Sequence, residues 1–255
     1  MDFIDFYYKL RTCLLITKNL ISSSYVSQRK VYHLINQLHI MGIGSLAIVL
    51  LTSCFIGMIF TFQIARELTY LNATRLVGSI LTVTFLRELS PVLTAVIVTG
   101  RIGSAYTAEI ASMQVTNQID VLYVLRVDPI EYLIKPRIFA CVLMLPILNI
   151  ISLVTSVASS IYISAYLYSI SPMTFIISSY SSLSMSDLCC SLIKTCIFGL
   201  IIGIISCTWG VTTRGGSVNV GKSTTSSVVT TLLVIFISDF FLSLLMFRNS
   251  DSLFY

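Results

Sequence analysis

Apolar positions in this chain of 255 residues are grouped in long runs, without the short alternation that is typical of strands in a soluble sheet. A helix needs about 20 apolar residues to cross the hydrocarbon core of a bilayer, so the length of each run can be tested against that requirement. The pattern predicts five transmembrane helices, at residues 42–62, 76–100, 138–168, 195–211 and 228–247. The predicted fold class is therefore an all-α membrane protein.

The second run contains charged residues at membrane depth. Arg87 and Glu88 lie near its middle, and Pro91 follows, where it is expected to kink the helix. Two half-length segments could not each cross the membrane, so we interpret the run as one span whose charges face a protein interior or a local water pocket. Asp239 is a further acidic residue, in the fifth run. We favour an internal ion pair or hydrogen-bond network that fixes helix register, and the alternative is a charged lining near a lipid headgroup.

Most of the 16 Lys and Arg residues fall on one side of the membrane if the N-terminus lies inside, so the positive-inside rule predicts an N-in, C-out orientation. Residues 1–38 place apolar side chains at spacings of three and four, with Lys9, Arg11 and Lys18 among them. This pattern predicts an N-terminal amphipathic helix, either in the membrane interface or packed against the bundle. Residues 39–248 form the membrane domain, and residues 249–255 a short C-terminal tail.

The connection between the second and third runs, residues 101–137, is rich in charge and has helical periodicity. Apolar residues at helical spacing alternate with polar ones: Ile110, Met113, Ile119, Leu122 and Val124 or Leu125 in the first set, and Glu109, Gln114, Gln118 and Asp120 in the second. A second helix start is indicated by Asp128 as N-cap, Pro129 at N1 and Glu131 at N3. Two short helices are expected here, either as simple connectors or as a docking surface for a partner.

The stretch GGSVNVGKSTT contains Gly216, Gly221, Lys222 and Ser223, which fit the phosphate-binding pattern G-x-x-x-x-G-K-[ST]. That chemistry also requires a preceding strand and a sheet, but the preceding segment here is a membrane-length apolar run. We therefore interpret residues 212–227 as a turn between the last two spans, in which the glycines permit tight backbone turning.

Composition excludes several classes of function. Hydrophobic residues make up 56% of the chain, charged residues 11%, and the mean hydropathy is +0.91, so ionic groups are too few to cover a soluble globule. The net charge of +5 is scattered and forms no basic stripe for nucleic acid. The seven cysteines, His33 and His39 show no metal-ligand spacing. We predict no catalytic residue, cofactor or metal site.

The N-terminus MDFIDFYYKL resembles neither a secretory signal nor an Arg-rich transit leader, so insertion by the protein's own spans is expected. Heavy use of Ile, Ser, Tyr and Asn suggests an AT-rich genome such as that of a plastid.

Residues 85–140 resemble the MlaE/YrbE family of ABC transporter permeases in four blocks: RELSPVLTA, GRIGSAYTAE, MQVTNQID and DPIEYLIKPR. Residues 210–243 resemble the family's closing motif, a V-G turn followed by a span with an aspartate, here Asp239. Arginine is common in the family at the position of Lys222, and glycine is usual at the position of Ser90. The likeness covers roughly residues 40–248.

The resemblance implies a non-catalytic permease that assembles as a homodimer with separate ABC ATPase subunits and with an MCE-domain lipid-binding protein. It implies transport of phospholipid or a related lipid, and location in a plastid inner envelope membrane or, otherwise, a bacterial inner membrane. By resemblance, the segment from Glu109 to Leu125 is a coupling helix that docks into the ATPase, with Glu109, Met113, Gln118 and Asp120 as contact residues.

We expect structural roles as turns, kinks or close helix contacts at a set of small residues and their neighbours: Pro91, Gly100, Arg101, Gly103, Ser104, Gly199, Gly203, Gly216 and Gly221. The competing hypothesis is a membrane-embedded lipid-modifying enzyme without ATPase partners, with Glu88 or Asp239 as its acid or base.

Overall fold

The computed structural model describes residues 11–17 and 28–247, and every regular element in these two ranges is helical. Helix α1 covers residues 11–17, so most of the predicted amphipathic segment, like the tail at 249–255, lies outside the described residues. The other α-helices are α2 (Gln28–Tyr70), α3 (Val77–Thr84), α4 (Ser90–Val98), α5 (Ser104–Val115), α6 (Gln118–Val124), α7 (Lys135–Tyr168), α8 (Pro172–Ser182), α9 (Met185–Val211) and α10 (Ser217–Phe247).

Five helical stretches within the described part are long and apolar enough to cross a membrane, which confirms the predicted fold class. They are Tyr32–Tyr70, Thr74–Val115, Ile130–Tyr168, Met185–Val211 and Ser217–Met246. The second stretch contains α3, α4 and α5, joined through π-helical segments at Phe85–Leu89 and Thr99–Gly103. Pro91 therefore lies one residue beyond the start of α4, directly after a widened turn.

The prediction of two short helices in the 101–137 connection is wrong. The second span continues through α5 to Val115, and only α6 is a separate short helix. The predicted helix start at Asp128 is present, because its Oδ1 accepts a hydrogen bond from the Ile130 amide at 2.9 Å. That helix does not end, however, and passes through a π-helical segment at Ile130–Ile134 into α7. Hydropathy locates the hydrocarbon crossing, whereas the backbone helix extends through the charged residues at its ends.

The predicted turn at 212–227 is also shorter than expected. Helix α10 begins at Ser217, so Gly221 lies inside a helix and not in a turn. The backbone turns at Gly215, whose φ is +99°, a conformation that favours glycine. The hydroxyl groups of Thr224 and Thr225 donate to the carbonyl of Gly221, so these polar residues are accommodated within the helix. A phosphate-binding loop is excluded, because residues 217–220, which would have to form the loop around the phosphate, are α-helical, and the preceding element α9 is a helix and not a strand.

The chain packs as two compact units, and each takes parts of several helices. Unit 1 contains the described residues up to Ser45 together with Ala95–Leu145 and Cys196–Ile237. Its core is a cluster of buried side chains from α1, α5, α6, α7, α9 and the Ile130–Ile134 segment: Ile16, Ile110, Ile119, Ile134, Ile138 and Cys207. Unit 2 contains Leu46–Thr94, Pro146–Thr195 and the described residues from Ser238 onward. Its core comprises Ala65, Val77, Leu81, Phe85, Ile170 and Phe175.

Small residues allow close helix contact at some of the predicted positions. In unit 1, a β-carbon on Gly199 would lie 2.8 Å from the Cys141 carbonyl oxygen, and one on Gly203 would lie 3.0 Å from the Ile138 Cα. A β-carbon on Gly103 would lie 3.0 Å from the Ser206 Oγ. Gly100, in contrast, has no described atom within 4 Å of the position of a β-carbon, so the predicted close contact is not formed within the described part of the chain.

Candidate functional site

The buried charge cluster in unit 2 begins with a backbone carbonyl that Pro91 leaves without its helical donor. In an α-helix the amide of residue 91 would donate to the carbonyl of residue 87, but proline has no N–H. The Lys194 Nζ donates to this Arg87 carbonyl oxygen instead, at 3.0 Å. The proline and its preceding π-helical segment thus create an acceptor inside the membrane span, and a lysine side chain from α9 satisfies it.

Lys194 is the centre of this charge cluster. Its side chain is 0% exposed, and its Nζ lies 3.2 Å from Glu88 Oε1 and 3.3 Å from Asp239 Oδ1. The Ser243 Oγ accepts from the same Nζ at 2.7 Å and donates to Glu88 Oε1 at 2.9 Å. Helices α9 and α10 and the π-helical segment Phe85–Leu89 therefore contribute to one hydrogen-bonded cluster. A buried cation with charged and polar partners on every side is the arrangement that a low-dielectric interior requires.

A second ion pair lies beside the first. Arg87 Nη2 and Nε donate to Asp187 Oδ2 at 3.0 and 3.2 Å. Asp187 and Lys194 are seven residues apart on α9, two helical turns, so they project from the same face. The adjacent Arg87 and Glu88 are therefore each paired with α9.

The sequence indicates that Arg87, Glu88 and Asp239 are charged residues at membrane depth, but it does not indicate which residues pair with them. Lys194 directly precedes the apolar run at 195–211, a position typical of a charge at the end of a span. The signal that could have revealed it is the seven-residue spacing from Asp187, which places two opposite charges on one face of the same helix. In the structure, Arg87 and Glu88 belong to an internal network in which each pairs with a residue more than 90 positions away.

Helix α6, in unit 1, is separated from its neighbours by two residues with left-handed backbone conformation. Asn117 (φ 58°) ends α5, and Arg126 (φ 56°) follows α6. The Arg126 amide donates to the Tyr123 carbonyl, and the Val127 amide to the Leu122 carbonyl, both at 3.0 Å. These two bonds form a Schellman motif, which terminates the helix.

Ile119 anchors α6 as its one buried side chain, Leu122 is half-buried, and the other side chains are exposed. Ile119 is 3% exposed and lies in the core of unit 1. The outward apolar side chains are Val121 (55% exposed), Tyr123 (61%), Val124 (83%) and Leu125 (64%). Beside them is a groove of about 290 Å³ lined by His33, Arg126, Val127, Asp128, Glu131, Tyr132 and Pro136. We call the four outward side chains of 121–125 and this groove the α6 surface.

The four predicted docking residues occupy different environments. Gln118 and Asp120 are exposed on α6, whereas Met113 packs against the core of unit 1. Glu109 is half-exposed, but its Oε2 accepts from Arg137 Nη2 at 2.8 Å, and the Arg137 side chain is buried. The Arg137 guanidinium also lies 5.3 Å from the ring centroid of Tyr106. Glu109 therefore has a structural partner in α7, and of the four predicted residues only Gln118 and Asp120 are exposed polar residues of α6.

Comparison with known proteins gives a consistent result. A sequence model of the family Permease MlaE matches residues 34–245. A probable ABC transporter permease protein of Pyropia yezoensis is 52% identical over 220 residues, which are 86% of this chain and 84% of that protein. A probable ABC transporter permease protein of Synechocystis sp. is 51% identical over 85% of this chain and 82% of its own length. The chloroplastic protein TRIGALACTOSYLDIACYLGLYCEROL 1 of Arabidopsis thaliana is 48% identical over 86% of this chain and 63% of its own length.

Proposed function

This chain belongs to the MlaE permease family, and from that premise we propose that it is the membrane subunit of an ABC transporter that moves phospholipid or a related lipid between membranes. Its relatives are named as ABC transporter permeases, which favours transport over the alternative of a lipid-modifying enzyme. The Arabidopsis relative carries the name of a glycolipid, which supports a lipid as the transported molecule. ATP hydrolysis belongs to a separate subunit.

The observation that carries this proposal is the α6 surface. A short helix held by one buried side chain, with four exposed apolar side chains beside a groove, is an incomplete surface that a partner protein would cover. The segment lies between the second and third membrane helices, where a partner on one side of the bilayer can reach it. We assign it to the ABC ATPase, with Gln118 and Asp120 as polar contacts around the apolar residues.

The charge cluster around Lys194 has a structural role in this proposal. It joins three segments of unit 2 by hydrogen bonds that no lipid tail can replace, and thereby fixes their register. The remaining partners are a second copy of this chain and an MCE-domain lipid-binding protein. The plastid inner envelope membrane is the proposed location, in keeping with the chloroplastic relative, and a bacterial inner membrane is the alternative.

The test is affinity purification of the tagged chain from its native membrane, with identification of the proteins and lipids that copurify. We expect an ABC ATPase subunit, an MCE-domain protein and bound phospholipid or glycolipid. Asp120→Lys should reduce ATPase recovery without lowering the amount of chain in the membrane. Glu67→Lys is the matched control, because it makes the same charge reversal at an exposed acidic residue in unit 2.

Two results would contradict the proposal. If the Asp120→Lys and Glu67→Lys variants recover equal amounts of the ATPase, α6 is not its docking site. Covalent turnover of lipid by the purified chain alone would remove transport as its function.

A further inference from the structure

Helix α8 lies outside the five membrane spans, yet it exposes a continuous apolar stripe. It has 11 residues, so it is about 17 Å long and cannot cross a hydrocarbon core of about 30 Å. Its sequence, PMTFIISSYSS, contains no Lys, Arg, Asp or Glu. The exposed stripe consists of Met173 (65%), Ile176 (49%), Ile177 (58%) and Tyr180 (80%), at the i, i+3, i+4, i+7 spacing of one helix face.

The opposite side of α8 is packed against the start of the second span. Phe175 is 1% exposed and Ser179 is 7% exposed. Gly78, near the beginning of α3, lets the two helices approach closely, because a β-carbon there would lie 2.5 Å from the Phe175 carbonyl oxygen. This contact fixes the position of α8 along the membrane normal at the level of the first turns of the second span.

Three ends of membrane helices lie at α8. The second span begins at Thr74, the third ends at Tyr168, and the fourth begins at Met185. The connections from α7 to α8 and from α8 to α9 are only a few residues long, and α8 packs against the beginning of the second span, so α8 must lie at the boundary where the spans leave the hydrocarbon. Tyr166, near the end of the third span, and Tyr70, at the end of the first span, are exposed, and tyrosines are typical of that boundary since their rings are amphipathic.

A third face of α8 is polar and exposed. Thr174 and Ser181 are seven residues apart and lie between the packed face and the apolar stripe. An apolar exposed face next to a polar exposed face is the pattern of a helix lying in the plane of a membrane surface, with one side in acyl chains and the other in headgroups and water.

We propose that α8 is an interfacial helix that inserts its Met173–Tyr180 stripe into the lipid leaflet on its side of the membrane. The partner of this surface is the lipid leaflet itself, at the junction of headgroups and acyl chains. The inference goes beyond the transport function, because it depends only on the chain being a membrane protein.

Fluorescence quenching tests this placement on the full chain reconstituted in phosphatidylcholine vesicles. The chain has one tryptophan, so Trp209→Phe gives a background without tryptophan. Ile177→Trp then places a reporter on the stripe, and Thr174→Trp is the matched reporter on the polar face. Circular dichroism and gel filtration establish that each variant keeps the helix content and size of its parent. Met173→Trp replaces Ile177→Trp if the latter does not fold.

The expected result is loss of the stripe reporter's emission with lipids that carry bromine on the upper acyl chain, together with protection from iodide. The Thr174→Trp reporter should show the reverse response. Equal quenching of both reporters by iodide, with no effect of brominated lipid on the stripe, would overturn the proposal. A stripe reporter that neither quencher reaches would overturn it as well, because protein would then cover that face.

Discussion

Replacing Lys194 by methionine removes a buried ammonium group and keeps a side chain of similar length. Glu88 and Asp239 then lose the cation that both contact, and the Arg87 carbonyl loses the donor that Pro91 cannot supply. Removing one partner of a buried ion pair costs about 3–5 kcal/mol. Because the Glu88 side chain is 42% exposed, we expect the low end of that range, about 3 kcal/mol, or roughly a hundred-fold in the unfolding equilibrium.

The assay is reversible unfolding of the full chain in mixed micelles with increasing sodium dodecyl sulfate, followed by circular dichroism. The informative control is the triple variant in which Glu88→Gln and Asp239→Asn accompany Lys194→Met. It removes the unpaired charges as well as the lysine, so most of the lost stability should return. A Lys194→Met protein within about 0.5 kcal/mol of wild type, the range of an ordinary surface substitution, would refute the view that the cluster holds its three segments together.

The triple variant also separates the two interpretations of the cluster. If the charges fix helix register, restored stability should be accompanied by restored lipid transport in vesicles that contain the complete transporter. If the charges contact a lipid headgroup, the triple variant should be stable but inactive.

Three further predictions concern other parts of the fold. Gly199→Val should destabilise the chain by more than about 2 kcal/mol in the same unfolding assay, because the valine side chain would collide with the backbone of α7. Gly221→Ala, where a β-carbon meets no described atom within 4 Å, should stabilise the chain by about 0.5–1 kcal/mol, and equal effects of the two substitutions would contradict the packing described. Glu109→Gln should lower stability by about 1–3 kcal/mol, because the buried Arg137 loses its carboxylate partner. The double variant Glu109→Gln/Arg137→Met should be less destabilised than Glu109→Gln alone, and a double variant destabilised by the sum of the two single effects would argue against an interaction between these side chains. Lys222→Ala should leave retention of a fluorescent ATP analogue by the purified chain unchanged, since residues 217–220 before this lysine form a helix and no phosphate-binding loop, and a lysine-dependent signal would count against that assignment.

The number of spans could be predicted from the sequence because a bilayer imposes a minimum length on an apolar run. Helix ends could not, since backbone hydrogen bonding continues where hydrophobicity stops. The Asp128 cap was correctly located because its signal is local: a carboxylate, a proline and an amide within three residues. The true extent of α10 was missed, because a glycine- and serine-rich stretch is typical of turns, yet its hydroxyl groups donate to carbonyls within the same helix.

The charge cluster shows a different limit. Charged residues inside apolar runs are conspicuous, and these led to Arg87, Glu88 and Asp239. Asp187 and Lys194 lie before an apolar run, where charges normally meet water or headgroups, and their seven-residue spacing places them on one helix face without showing that this face is buried. Only the packing of α9 places them beside the π-helical segment before Pro91.

The backbone breaks at Asn117 and Arg126 have a mechanical consequence for α6. No continuous helix connects α6 to the second or third span, because a residue with left-handed backbone conformation interrupts the helix on each side. A movement of α6 is therefore not transmitted along a helix axis. A displacement of α6 is instead transmitted by side-chain packing, chiefly by Ile119, which belongs to the same buried cluster as Ile134, Ile138 and Cys207. Displacement of α6 would therefore act on the third and fourth spans together, because Ile134 and Ile138 belong to the third and Cys207 to the fourth. Ile119→Ala would leave α6 in the chain but weaken its packing against both spans.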